Sequence, residues 1–78
     1  MASVVQKEFG RRVRGLRQAA GLSQEELAFR AKLTRTYLSQ IETGSRDPSL
    51  STLARLARGL AVSLPELVKV SLPPRGLL

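Results

Sequence analysis

Ser23-Gln24-Glu25-Glu26-Leu27-Ala28 and, shortly after, Thr34-Arg35-Thr36-Tyr37-Leu38-Ser39-Gln40-Ile41-Glu42-Thr43-Gly44 decide how this chain folds. Ser23 followed by Glu26 is a capping box, in which hydroxyl and carboxylate each satisfy a backbone N–H at a helix start. The helix it opens has a small apolar face, Leu27, Ala28 and Ala31, and must be short, because Lys32-Leu33-Thr34 already begins the next start. Thr34 caps that next helix, which runs to about Thr43 and stops at Gly44. A joint of about three residues suits two short helices crossing at a steep angle, as in a helix-turn-helix. Ala28 and Ala31 leave room for the close approach.

The helix opened by Thr34 has two distinct faces. At 100° per residue, Arg35, Thr36, Ser39, Gln40 and Thr43 cluster within an arc of about 140°. Tyr37, Leu38 and Ile41 lie roughly opposite and fit a core. The polar arc carries an arginine, an amide and three hydroxyls, and no acid. That inventory suits base edges: arginine for guanine O6 and N7, glutamine for adenine, hydroxyls for either, a threonine methyl for thymine. The competing reading is an ordinary solvated face, which more often carries Glu and Lys pairs one turn apart.

Three further helices flank this unit. The first spans about Lys7 to Ala20, with Phe9, Val13, Leu16 and Ala20 as its buried stripe and Gly21 as its stop. Gly10 and Gly15 weaken it by about 1 kcal/mol each, so tertiary packing must hold it. Ser45-Arg46-Asp47-Pro48 is a turn, and Ser49 caps a fourth helix with Leu50, Leu53, Ala57 and Leu60 on one face. Ser63 and Glu66 predict a capping box for a fifth helix, Leu64 to about Val70, with Pro65 in the first turn, where its missing N–H costs little. Aromatics are 4% of the chain and no segment alternates convincingly, so strands are not expected. The expectation is an all-α, five-helix single domain over 1–78, with a core over about 9–70 and a flexible, non-helical tail at 71–78.

Composition narrows the function. Lys and Arg number 13 against 6 acidic residues in 78, a formal charge of +7. That excess points to a polyanion, either nucleic acid or an anionic membrane surface. With no Cys and no His, disulfides, thiolate or imidazole metal sites and Cys or His catalysis are excluded. No paired carboxylates, nucleophile–base arrangement or glycine-rich phosphate loop suggests an enzyme. We therefore expect no catalytic or metal-binding residue, no cofactor and no small-molecule ligand. Neither a signal-peptide core nor a run of about 20 apolar residues occurs, so a cytoplasmic, membrane-free protein is expected. A membrane-surface role wants an amphipathic basic helix with Trp or Phe on its apolar face, and the first helix offers one Phe and two interior glycines.

Charge placement adds to the nucleic-acid reading. Lys7, Arg11 and Arg14 fall opposite the first helix's apolar stripe, and Ser45 and Arg46 directly follow the base-reading candidate. Gln24 opens the second helix, where N–H groups and the helix dipole favour a phosphate. Lys7 and Arg58 are read as solvated. Glu42 is the odd acid on the base-reading helix, and Arg17 lies at the edge of the first helix's stripe. The two are expected to pair at the core boundary, against the alternative that Glu42 faces solvent.

Taken together, Leu22-Ser23-Gln24-Glu25-Glu26-Leu27-Ala28, Leu33 to Gly44, Pro48-Ser49-Leu50, Leu53-Ala54 and Leu60 to Leu64 resemble the Xre family, the Cro/C1-type helix-turn-helix of lambda-repressor-like domains. The likeness covers roughly Phe9 to Val68, and within the family it is greatest to controller proteins of restriction–modification systems. The resemblance implies a transcriptional regulator that binds a palindromic operator in double-stranded DNA as a homodimer. It assigns base reading to Arg35, Thr36, Ser39 and Gln40, backbone contacts to Gln24, Thr43 and Arg46, and a structural ion pair to Arg17 and Glu42; Arg14, Thr34 and Ser45 are further candidates for backbone contacts from their placement in the sequence. Ala61 departs from the family's usual Gly, Asn or Asp at the end of the fourth helix. For the two-fold interface, the apolar residues Leu56, Val62, Leu64, Leu67 and Val68 exceed what so small a domain is expected to bury internally. Antitoxins and phage repressors share this fold and remain alternatives, as does a protein-interaction module.

Overall fold

The computed structural model describes residues 3–71, and the expectation for the tail beyond Ser71 lies outside them. Five helices follow one another: α1 Val4–Ala19, α2 Gln24–Ala31, α3 Arg35–Glu42, α4 Leu50–Leu60 and α5 Leu64–Leu67, with no strand among the described residues. Each begins at a hydroxyl. Ser3, Ser23, Thr34, Ser49 and Ser63 each accept a hydrogen bond from the backbone N–H three residues on.

α1 starts earlier than the apolar stripe suggests. Ser3 and Gln6 form a reciprocal capping box and carry the helix one turn upstream of Lys7. α5 is shorter than expected, with Val68 already at its C-terminal cap. Its capping box is only half made. Ser63 accepts from the Glu66 N–H, whereas the Glu66 carboxylate is taken by the Arg12 guanidinium at 2.8 Å.

The core gathers Phe9, Val13, Leu22, Leu27, Ala28, Ala31, Leu38, Ile41, Leu56, Ala57, Leu60 and Leu67. Leu16 and Leu53 pack at its edge and Ala20 is exposed. Two glycines set the helix spacing. A Cβ on Gly10 would stand 2.5 Å from the carbonyl oxygens of both Ile41 and Glu42, so α1 and α3 meet at a distance only glycine permits. A Cβ on Gly59 would lie 3.1 Å from the Leu27 side chain and 3.3 Å from the Ala31 nitrogen, where α4 packs on α2.

Two of the proposed interface residues are core instead. Leu56 and Leu67 are both 0% exposed, because α5 folds back on α4 and turns Leu67 into the same core that holds Leu56. A side chain already enclosed by its own domain has no surface left for a second copy. Val62 is half-buried against the core, while Leu64 and Val68 are exposed. Ala61 and Lys32 end α4 and α2 in the left-handed region, both at φ 57°. A residue with a Cβ is strained there.

Candidate nucleic-acid interface

The sharp turn between α2 and α3 places one outside face of α3 in solvent. Tyr37, Leu38 and Ile41 are turned toward the core, which leaves Arg35, Thr36, Ser39 and Gln40 together along one shallow depression. Arg35 and Thr36 are exposed, Ser39 and Gln40 half-buried. Among the described residues no hydrogen bond engages these four side chains, so their donors and acceptors are free for a ligand. No acidic side chain lies among them.

Beside this face lies a wider cleft where α1, α2 and α3 meet, lined by Arg14, Arg17, Ser23, Gln24, Glu25, Arg35, Glu42 and Thr43. Three arginines against two carboxylates give it a positive balance. Glu42 is further neutralised locally. Arg17 donates from Nε to Glu42 Oε2 at 2.7 Å and from Nη2 to Oε1 at 3.1 Å, and its Nη1 donates to the Leu22 carbonyl at 2.8 Å. Both side chains are nearly enclosed, at 12% and 4% exposure. Glu42 thus points inward, and the sequence alternative of a solvent-facing carboxylate is set aside.

Gln24 differs from the sequence expectation in one respect. Its Nε2 donates to Glu42 Oε1 at 3.1 Å, so the amide is already engaged and its position is fixed from behind. Thr34 Oγ1 accepts the Tyr37 N–H as the α3 cap. Thr43 and Ser45 both donate to the Gln40 carbonyl and lie 3.3 Å apart, a hydroxyl pair at the exit of α3. Arg14 is exposed beside the cleft, and the Arg46 guanidinium stands 5.4 Å from the Tyr37 ring centroid. The ring's quadrupole attracts a cation held over its face. Sequence reasoning missed the Gln24–Glu42 bond, the Arg46–Tyr37 stack and the Arg12–Glu66 contact. Each joins segments whose proximity appears only once the helices are packed.

Glu26, at the first turn of α2, has its carboxyl held below the ordinary carboxylate range by hydrogen bonds from the Ser23 N–H and then the Ser23 hydroxyl. No helix among the described residues is long and apolar enough to cross a membrane.

A family model described as helix-turn-helix matches residues 13–67, spanning α2, α3 and most of the core. The chain belongs to the Xre-type helix-turn-helix family of DNA-binding transcriptional regulators. Among family members, it is 38% identical to control protein C.BamHI of Bacillus amyloliquefaciens over 69 residues, covering 87% of this chain and 85% of that one. Control protein C.MunI of Mycoplasma sp is 43% identical over 60 residues, 76% of this chain and 81% of the other. The crystal structure of the restriction–modification controller protein C.AhdI from Aeromonas hydrophila superposes with a TM-score of 0.78 at 45% identity, covering 80% of this chain and 94% of that one.

Proposed function

We propose that this chain is the controller of a restriction–modification system, acting in the cytoplasm as a homodimer on a palindromic operator. One observation carries the reading of bases: Arg35, Thr36, Ser39 and Gln40 line one depression on α3 with no acid among them, unpaired by any described hydrogen bond. In that reading α3 enters the major groove. Arg35 donates to guanine O6 and N7, and Gln40, Ser39 and Thr36 read the adjacent pairs. Arg14, Gln24, Thr34, Thr43, Ser45 and Arg46 surround α3 and hold phosphates, which sets the register and supplies the salt-dependent part of the affinity.

One α3 covers too few base pairs to specify an operator. A second copy related by two-fold symmetry sets two such helices about 34 Å apart in successive major grooves. The interface assigned here keeps Leu64, Val68 and Val62 and gives up Leu56 and Leu67, which the core takes. The controller role is supported by the kinship with C.BamHI, C.MunI and C.AhdI.

Selection from random duplexes, followed by gel-shift titration, tests the proposal. A palindromic consensus bound at least a thousandfold more tightly than unrelated duplex is expected, in keeping with specific regulators. Equal affinity for all duplexes overturns operator recognition. Methyltransferase and endonuclease genes beside the coding sequence support the controller role, and a toxin or prophage genes in their place overturn it.

A further inference from the structure

α5 is four residues long, too short to hold a helical shape by itself. Leu67 roots it in the core. A second attachment reaches it from α1. Arg12 donates from Nε and Nη2 to the Glu66 carbonyl at 3.1 and 2.8 Å, and Nη2 also donates to Glu66 Oε1 at 2.8 Å. One guanidinium therefore grips both the backbone and the side chain of a single residue. Arg12 is 26% exposed and Glu66 49%, so solvent screens the contact in part.

The direction of this grip matters. Leu64 and Val68 are one helical turn apart and share a face, the Val68 N–H continuing the helical pattern onto the Leu64 carbonyl at 3.1 Å. Glu66 lies midway between them in sequence and so about 160° around the helix from each. Arg12 holds α5 from behind while Leu64 and Val68, at 37% and 42% exposure, are left outward. By drawing the carboxylate away from the Ser63 N–H, the same contact sacrifices half a capping box. The local helix start is thereby traded for a tie to another helix.

We propose that Arg12 is a positioning residue for self-association: it fixes the angle at which α5 presents Leu64 and Val68 to a second copy of this chain. This rests on the homodimer reading given above, with α5 in the interface. Losing the grip leaves α5 held by Leu67 and its packing on α4 but without the polar tie to α1, so the two apolar side chains meet their partner out of register.

Sedimentation equilibrium of the full chain, at a temperature where circular dichroism shows the helices fully formed, tests this with the variants Val68→Glu, Arg12→Met and Arg12→Lys. Val68→Glu is expected to be monomeric. Arg12→Met should raise the dimer dissociation constant at least tenfold with unchanged helix content. Arg12→Lys, which keeps the charge but cannot place two N–H groups on one carbonyl, should remain impaired by at least threefold. A merely structural Arg12 would lower the melting temperature and leave the dissociation constant of the folded protein unchanged, and that result overturns the proposal. A Val68→Glu protein that dimerises normally overturns the interface itself, a separate failure. Should Arg12→Met not fold, Arg12→Lys decides alone: wild-type dimerisation refutes the positioning role and weakened dimerisation supports it.

Discussion

Arg17 and Glu42 join α1 to α3 through two parallel hydrogen bonds at 2.7 and 3.1 Å, at a site almost closed to water. Removing one partner strands the other in low dielectric, and such changes cost about 3–5 kcal/mol. Arg17→Met should therefore destabilise the domain by about that amount in urea denaturation. The double variant Arg17→Met with Glu42→Leu should recover much of the loss, since an apolar pair carries no desolvation penalty. Additive losses in the double-mutant cycle would show that the pair does not act as a unit.

The two glycines within α1 should behave oppositely. Gly10→Ala forces a methyl against two α3 carbonyls and should cost about 1–3 kcal/mol. Gly15 has no neighbour within 4 Å, so Gly15→Ala should stabilise by about 1 kcal/mol through helix propensity alone. Thermal melts of both variants check the contrast.

Ala61 ends α4 at φ 57°, a left-handed conformation in which a Cβ is strained. Ala61→Gly relieves the Cβ strain and should raise stability by about 0.5–1 kcal/mol. An unchanged or lowered urea midpoint would refute the strain argument.

Arg35 and Arg46 should separate in binding assays. Arg35→Ala should lose about 1–3 kcal/mol of discrimination at one operator position while weak binding persists. Arg46→Ala should weaken all sequences alike and lower the salt slope by about one. A position-specific loss with Arg46→Ala would move it to the base-reading set.

Glu26 gives α2 a pH-dependent start. Its carboxyl titrates below the ordinary range in the folded protein, so its contribution is present above the unfolded value and disappears as pH falls through the depressed one. The melting temperature of the wild type relative to Glu26→Gln should therefore narrow on acidification through that window. A constant difference would assign the effect to shape rather than charge.

Much of this architecture was legible in the sequence because its signals are local. A hydroxyl before an apolar run marks the start of α2, α3 and α4, Glu26 completes the box at α2 and Gly44 follows the end of α3, and each of these signals acts within one turn. The two faces of α3 followed from helical period alone. What stayed hidden depends on how helices pack. Gly10 reads as a weak point in a helix and becomes a requirement only when α3 lies against it. Leu56 and Leu67 count as spare apolar surface until α5 is folded back on α4. Arg12 and Glu66 lie 54 positions apart, beyond any local pattern. The start of α1 is an exception: Ser3 and Gln6 form a legible cap, overlooked because the apolar stripe begins later.

The four outward residues of α3 contribute no described side-chain hydrogen bond to the fold, while Leu38 and Ile41 on the reverse side are fully enclosed. On the proposed reading, holding the helix in place and choosing what it reads are thus tasks of different letters in the same short word. Exchanging Arg35, Thr36, Ser39 and Gln40 as a set leaves the hydrophobic interior intact. If those four residues read the operator as proposed, a lineage can re-address such a protein without first rebuilding its scaffold, and cassette replacement does the same in the laboratory.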